Sequence, residues 1–417
     1  KAAFFGCFLS GYLVHLYVFT NIIPNSDGLS RIFDPQQMTV SGRWFLHFAS
    51  YFNGFTQMPA VIGLFSVLFL ALAAALAVSL LGIRSRALSA LSGALMAAFP
   101  AVGYTFLYLF TASAYCFAIF LAVLSVSLAR RGRWHWLAGC LLLACSMGTY
   151  QAYVTVAIGL SLLVIFWETL DPSASFSATL RLGVRLMLFL AAGAVLYYGI
   201  LLVFLQVKDL ELLSYLGMDA ASSGYPFSRL PGLLLDTYKQ VAAFFFLPGS
   251  ANTFTSGWMA VLDLAALALG GGCFLLCMGQ EGLWRARWRP LGGLAMLALL
   301  PLGINFGQIL SPWSAPTPLM KYAFVLVYLA VVLLADRALP AAGAGAAVLR
   351  RRAAPCAALW LVLLLLFSLN TNNRLYTASA QAHRATLSYA TRLASRIESC
   401  PGYTHGMPVY LIGSFPT

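Results

Sequence analysis

Residues 59–82 read PAVIGLFSVLFLALAAALAVSLLG, an uncharged run closed by Arg84 and Arg86. A membrane-spanning helix needs roughly 20 apolar residues, and this run is long enough. Ten other stretches read as spans: 2–23, 87–102, 105–129, 135–149, 151–170, 182–206, 257–278, 291–308, 318–338 and 354–370. The pattern predicts an all-α polytopic integral membrane protein with about 11 transmembrane helices. The shortest of these are 87–102 and 135–149.

Composition agrees with that reading. Of 417 residues, 61% are hydrophobic and 9% charged, and the mean hydropathy is +0.85. Soluble domains carry about 25% charged residues, so a soluble fold is excluded. The formal charge of +13 would suit nucleic acid if the basic residues formed one patch. They form short clusters between apolar runs instead, so the expected partner is the lipid bilayer and not nucleic acid. Arg84 and Arg86; Arg130, Arg131 and Arg133; Arg181 and Arg185; Arg285, Arg287 and Arg289; and Arg337 with Arg350 to Arg352 fall on every second connection. By the excess of Arg and Lys in cytoplasmic loops, that side is the cytoplasmic one. Most acids lie on the other side: Asp27, Asp34, Asp209, Glu211, Asp219, Asp236 and Glu398.

Seven of the eight cysteines lie in or beside apolar segments, and only Cys400 sits in a long polar stretch. No disulfide framework or CxxC spacing is present. The chain opens on Lys1 rather than Met, so trimmed ends are expected. The tail from Asn370 reads as a helix continuing outward, followed by a short strand at 408–413.

The loop between Pro24 and Pro59 carries the most chemistry. Asp27 stands in Asn25-Ser26-Asp27-Gly28, with Asp34, Arg31 and Arg43 after it. An acid just outside the first span meets water and lipid headgroups together. It could be a catalytic base, an ion ligand or a solvated loop residue. Trp44, Phe45, Phe48 and Phe52 recur at near-helical spacing, which predicts an interfacial helix in this loop. Tyr150-Gln151 forms a polar turn between two spans, and polar residues at such places are costly and often functional. Tyr104, Tyr108, Thr111, Ser113 and Tyr115 give the fourth span a polar-aromatic face, which an interfacial aromatic belt explains equally well. Asp263 is the most intramembrane acid. Lys321 opens the tenth span and fits either a lipid phosphate or a snorkelling anchor. The five histidines lack metal-ligand spacing. Gly270-Gly271-Gly272 is the best candidate for a broken helix, which a transporter or flippase would use.

On Asn25-Ser26-Asp27-Gly28, then Gly42-Arg43-Trp44, then Met147-Gly148-Thr149-Tyr150-Gln151, and the tail Pro408-Val409-Tyr410-Leu411-Ile412-Gly413, the chain resembles the GtrII family of bacterial glucosyltransferases. These are polytopic enzymes of the GT-C type. The resemblance implies a transmembrane glycosyltransferase domain over 1–370 and an outer-face tail over 371–417. It also implies transfer of a sugar, usually glucose, from a polyprenyl-phosphate-linked donor to a glycan acceptor, outside a bacterial cytoplasmic membrane. Family members often carry a second acid beside the first; here Gly28 follows Asp27, which leaves Asp34 as the helper. On this reading Asp27 is the base, Arg43 and Lys321 hold the donor phosphate, and Tyr150, Gln151 and Trp44 contact sugar or acceptor. No cofactor is expected to be required. With no DxD-type pair the chemistry is expected to be metal-independent, a divalent ion between two acids being the alternative.

Overall fold

The computed structural model describes residues 1–23, 27, 39–53, 58–212, 227–249, 256–280, 283–312, 316–338, 347–410 and 412. Among them every regular element is a helix. They run α1 (Ala2–Thr20), α2 (Leu46–Ala49), α3 (Pro59–Leu80), α4 (Arg86–Ala98), α5 (Pro100–Phe106), α6 (Leu109–Ala129), α7 (Arg133–Thr149) and α8 (Val154–Thr169). Then come α9 (Phe176–Val207), α10 (Leu230–Phe246), α11 (Gly257–Gln280), α12 (Trp288–Ile304), α13 (Phe306–Leu310), α14 (Val325–Arg337) and α15 (Ala347–Glu398). Eight helices among the described residues are long and apolar enough to cross a membrane, or nine with α4 and α5 taken as one bent span.

The helices of the expected spans 135–149 and 291–308 stand apart from that count. They are α7 and α12, each 17 residues and so about 25 Å long. Both nevertheless run from one end of the bundle to the other. At its start α7 meets α9, where Trp136 Nε1 donates to Arg185 O at 3.4 Å. At its finish Gly148 O accepts from Phe45 N at 2.7 Å. The start of α12 holds Arg289 against the α8–α9 connection, and beyond its finish Asn305 donates to Gln240 of α10 at 3.1 Å.

One end of the bundle is built from arginines. Arg130 pairs with Glu168 at 3.2 Å. The Asp336 carboxylate accepts from Arg84 N and Ser85 N, both at 2.8 Å, so it caps the turn that starts α4. The Arg289 guanidinium donates to the carbonyls of Thr169, Asp171, Pro172 and Ala174. Arg337 lies 5.1 Å over the Trp167 ring. Burial opposes the charge on Asp171, but the Ser173 N–H and hydroxyl, aided by Arg337 and Arg289, hold its carboxyl below the usual range.

Where the chain departs from the expected spans, the reasons are local. Pro100 cannot continue α4, and Phe99 before it is extended (ψ 131°). The span therefore bends by 41°. His15 of α1 fills this bend, with Nε2 2.9 Å from Ala97 O and Nδ1 2.6 Å from the Tyr376 hydroxyl. A ring nitrogen facing a carbonyl must donate, so Nε2 carries the proton and Nδ1 accepts from Tyr376. The tenth span opens as a 3₁₀ stretch, Pro318–Phe324. The Gly270 to Gly272 run leaves α11 unbroken. Asp263 finds its partner in Tyr328, whose hydroxyl donates at 2.8 Å. The tail helix is continuous with the last span as the 52-residue α15, but no strand forms at 408–410.

Two stretches between spans differ from a plain apolar reading. Among the described residues of the first loop, Asp27 is helical, Thr39–Ser41 is a 3₁₀ turn, and the helical stretch carrying the aromatic residues is short, α2 (Leu46–Ala49) running directly into a 3₁₀ turn at Ser50–Asn53. Trp44 is buried ahead of α2 and not on its face. The stretch between the seventh and eighth spans also carries a helix, α10. Its buried residues Leu233, Thr237, Val241 and Phe244 recur at helical spacing, while Asp236 and Lys239 pair on the exposed side at 3.3 Å. An amphipathic helix of this kind escapes a search for uniformly apolar runs.

Candidate active site

At the end opposite the arginines, the segment 39–45 threads between the ends of α6, α7 and α9. Gly42 has φ +78°, the left-handed region that glycine enters at no steric cost. That turn lets its carbonyl accept from the Tyr197 hydroxyl at 3.0 Å. Gln151 Nε2 completes the ring, donating to Ser41 O at 2.8 Å and to the Tyr197 oxygen at 3.2 Å. Gln151 thus braces the loop that carries Arg43.

Arg43 is buried. Its Nη1 donates to the Tyr115 hydroxyl at 3.3 Å, and its guanidinium lies 5.0 Å from the centre of the Tyr150 ring. The Tyr115 and Tyr150 rings stack at 4.5 Å, and Tyr153 meets Tyr150 edge-on at 5.3 Å. A guanidinium on such a platform is desolvated on one face and attracted by the ring. Trp44 turns the other way and stacks on Phe204 at 5.7 Å. A side chain at Gly148 would meet the indole at 2.6 Å, so glycine at 148 leaves the room Trp44 needs. Lys208, one residue past α9, holds its Nζ 5.7 Å over Phe204 and 3.5 Å from the Thr39 hydroxyl.

The predicted site residues therefore separate into groups. Arg43, Trp44, Tyr150 and Gln151 come together in one cluster. Lys321 is buried, at non-helical angles in its 3₁₀ stretch and 5.7 Å over Phe244 of α10. That stretch packs against α5 and touches the Gln151–Tyr153 turn, so both cations flank one turn while resting on different rings. Asp27 is half-buried and helical. Chain connection puts it at this end, seven residues after α1 closes at Thr20. Asp34 lies outside the described residues. No group of three or more His, Cys, Asp or Glu that could hold a metal ion occurs among the described residues.

Tyr197, Phe204 and Lys208 are the contributors that sequence reading missed. They lie on the last turns of a long lipid-compatible helix, where Tyr and Lys read as interface anchors. The one available signal was their spacing: 197, 204 and 208 share a helix face.

Among the described residues, then, a many-spanning helical bundle carries a buried cation on aromatic rings at one end of its spans. The chain belongs to the Glucosyl transferase GtrII family, whose match covers residues 16–334. It is accordingly a multi-pass membrane glycosyltransferase. The match begins within α1 and ends within α14, taking in every residue of the cluster. Comparison with curated proteins and with solved structures finds no match.

Proposed function

We propose that this enzyme moves a glucosyl group from a polyprenyl-phosphate donor to the hydroxyl of a surface glycan or lipid-linked glycan. The reaction takes place at the end of the bundle opposite the arginines. The observation that carries this reading is the buried Arg43 on its Tyr115–Tyr150 platform. A donor of this class presents a phosphate at headgroup depth and a long apolar chain. Arg43 and Lys321 suit the first, and the partly exposed Phe48 and Phe204 suit the second. The excess of arginine in alternate loops supports reading the opposite side as the outer one. Counting α7 and α12 as crossings, with α4 and α5 as one bent span, supports eleven spans, which we read as a GT-C arrangement in the bacterial cytoplasmic membrane. Residues 371–417 then form an outer-face tail.

In this mechanism the Asp27 carboxylate takes the proton of the acceptor hydroxyl as its oxygen attacks the anomeric carbon. The bond from that carbon to the phosphate oxygen breaks, and polyprenyl phosphate departs with the electron pair. Arg43 and Lys321 stabilise the growing negative charge. Single displacement inverts the anomeric centre. Asp34 positions the acceptor, and the departing phosphate needs no proton near neutral pH. The cations supply the charge that a divalent ion would otherwise bring.

The test is transfer of labelled glucose from polyprenyl-phosphate-glucose to endogenous glycan in oriented vesicles, with Asp27→Asn beside the wild type. Loss of transfer with unchanged expression is expected. A fully active variant would move the base elsewhere.

A further inference from the structure

A groove of about 550 Å³ opens between the first turns of α7 and α9, at the arginine-rich end and far from the cluster just described. That size lies within the range of ligand sites. Its wall is apolar: Trp136 from α7, and Leu180, Val184 and Leu188 from α9. The last three recur every fourth residue and form one row about 12 Å long. All three are exposed along a spanning helix, so the groove faces lipid. Arg133, Arg181 and Arg185 also line it.

The arginines divide into two kinds. Arg185 is committed to the fold, donating to Ala129 O at 2.7 Å and Gly132 O at 3.4 Å. Arg133 and Arg181 are exposed, and neither has an acidic partner among the described residues. Nearby acids are already engaged, Glu168 with Arg130 and Asp171 with Ser173. Snorkelling explains arginines at a membrane boundary, but not the apolar groove beneath them. A small soluble anion would satisfy the arginines and leave the wall exposed. A zwitterionic lipid would fill the wall while bringing its own cation to a cationic site. An anionic phospholipid satisfies both, its phosphate taking charge-assisted hydrogen bonds and its acyl chain lying along Leu180 to Leu188.

We infer that the groove between α7 and α9 is a binding site for an anionic phospholipid of the leaflet at the arginine-rich end. Such a lipid bridges the first turns of the two helices whose far ends carry Gly148 and Tyr150 on one, and Tyr197 and Phe204 on the other.

The experiment is native mass spectrometry of the full chain in mild detergent, with phosphatidylglycerol, phosphatidylcholine or inorganic phosphate added. The wild type is compared with R133Q/R181Q, which leaves the structural Arg185 in place. One phosphatidylglycerol should stay bound under activation that strips phosphatidylcholine. The double variant should bind it roughly tenfold more weakly or worse, with unchanged thermal midpoint and unchanged sugar transfer in lipid-free detergent. Inorganic phosphate should not displace the lipid. Equal retention of the two lipids by the wild type would overturn the inference. So would undiminished phosphatidylglycerol binding by a folded double variant, while displacement by phosphate alone would make this a small-anion site.

Discussion

Gly42 and Gly148 show how single residues hold the cluster open, and they fail for different reasons when enlarged. At Gly148 an added Cβ would sit 2.6 Å from the Trp44 indole, an overpacking that costs about 1–3 kcal/mol. Gly42 has open backbone angles only glycine favours, and at φ +78° an alanine costs about 1–2 kcal/mol. Gly148→Ala should therefore lower the thermal midpoint and sugar transfer together, because Trp44 must leave Phe204. A variant with wild-type transfer would mean the indole is not part of the site. Arg43 is more sensitive still. Removing one preorganised donor at a developing anion typically costs about 10²–10³ in rate, so Arg43→Ala should lose that much in kcat/KM. Arg43→Lys should recover little, because an ammonium cannot both lie flat on Tyr150 and reach the Tyr115 hydroxyl. Recovery by lysine would reduce Arg43 to a point charge. At this scale the Gly-Arg-Trp and Gly-Thr-Tyr-Gln runs were legible because each is local. The Tyr197 brace was not, since 155 residues separate it from Gly42.

Elements were legible in proportion to how uniformly apolar they are. α3, α6 and α11 follow the expected runs closely, because bilayer contact on some faces and helix contact on others both favour apolar side chains. α10 was hidden by its charged face, while the aromatic stripe of near-helical spacing after Trp44 marks a short stretch in which α2 tightens into a 3₁₀ turn at Ser50–Asn53. The α8–α9 connection makes the strongest prediction at this level. Four carbonyls there bind Arg289, and Asp171 anchors the turn through Ser173. The fold holds the Asp171 carboxyl below its ordinary value: burial opposes its charge, but the Ser173 N–H and hydroxyl, with Arg337 and Arg289, outweigh it. A depressed carboxyl contributes stability that is complete above its unfolded pKa and is lost as pH falls through the folded one. Asp171→Asn should accordingly lower the thermal midpoint at pH 7, and the gap to the wild type should close below about pH 4. A gap that persists at low pH would point to shape rather than charge at that turn.

For the whole molecule, everything proposed about chemistry depends on which end faces out, and the fold ties that question to one cysteine. α1 and α15 both leave the arginine-rich end and finish at the other, as the His15–Tyr376 and Asn372–Ala98 contacts near the Phe99 bend require. Cys400 is exposed just past the end of α15, on the side of the Arg43 cluster. Of the other cysteines, only Cys356 is exposed, and it lies within α15 close to the opposite end. In a Cys356→Ser background, a membrane-impermeant maleimide should therefore label intact spheroplasts at Cys400 and leave sealed inverted vesicles unlabelled, with the signal absent in the further variant Cys400→Ser. If the parity of α7 and α12 were misjudged, the arginine clusters could not alternate as they do, because dropping either short helix would place later clusters on the opposite side. Labelling confined to inverted vesicles would turn the bundle over. The Arg43 cluster would then face the cytoplasm, where an acceptor on the cell surface could not reach Asp27, and an internal lipid-linked glycan would have to take its place.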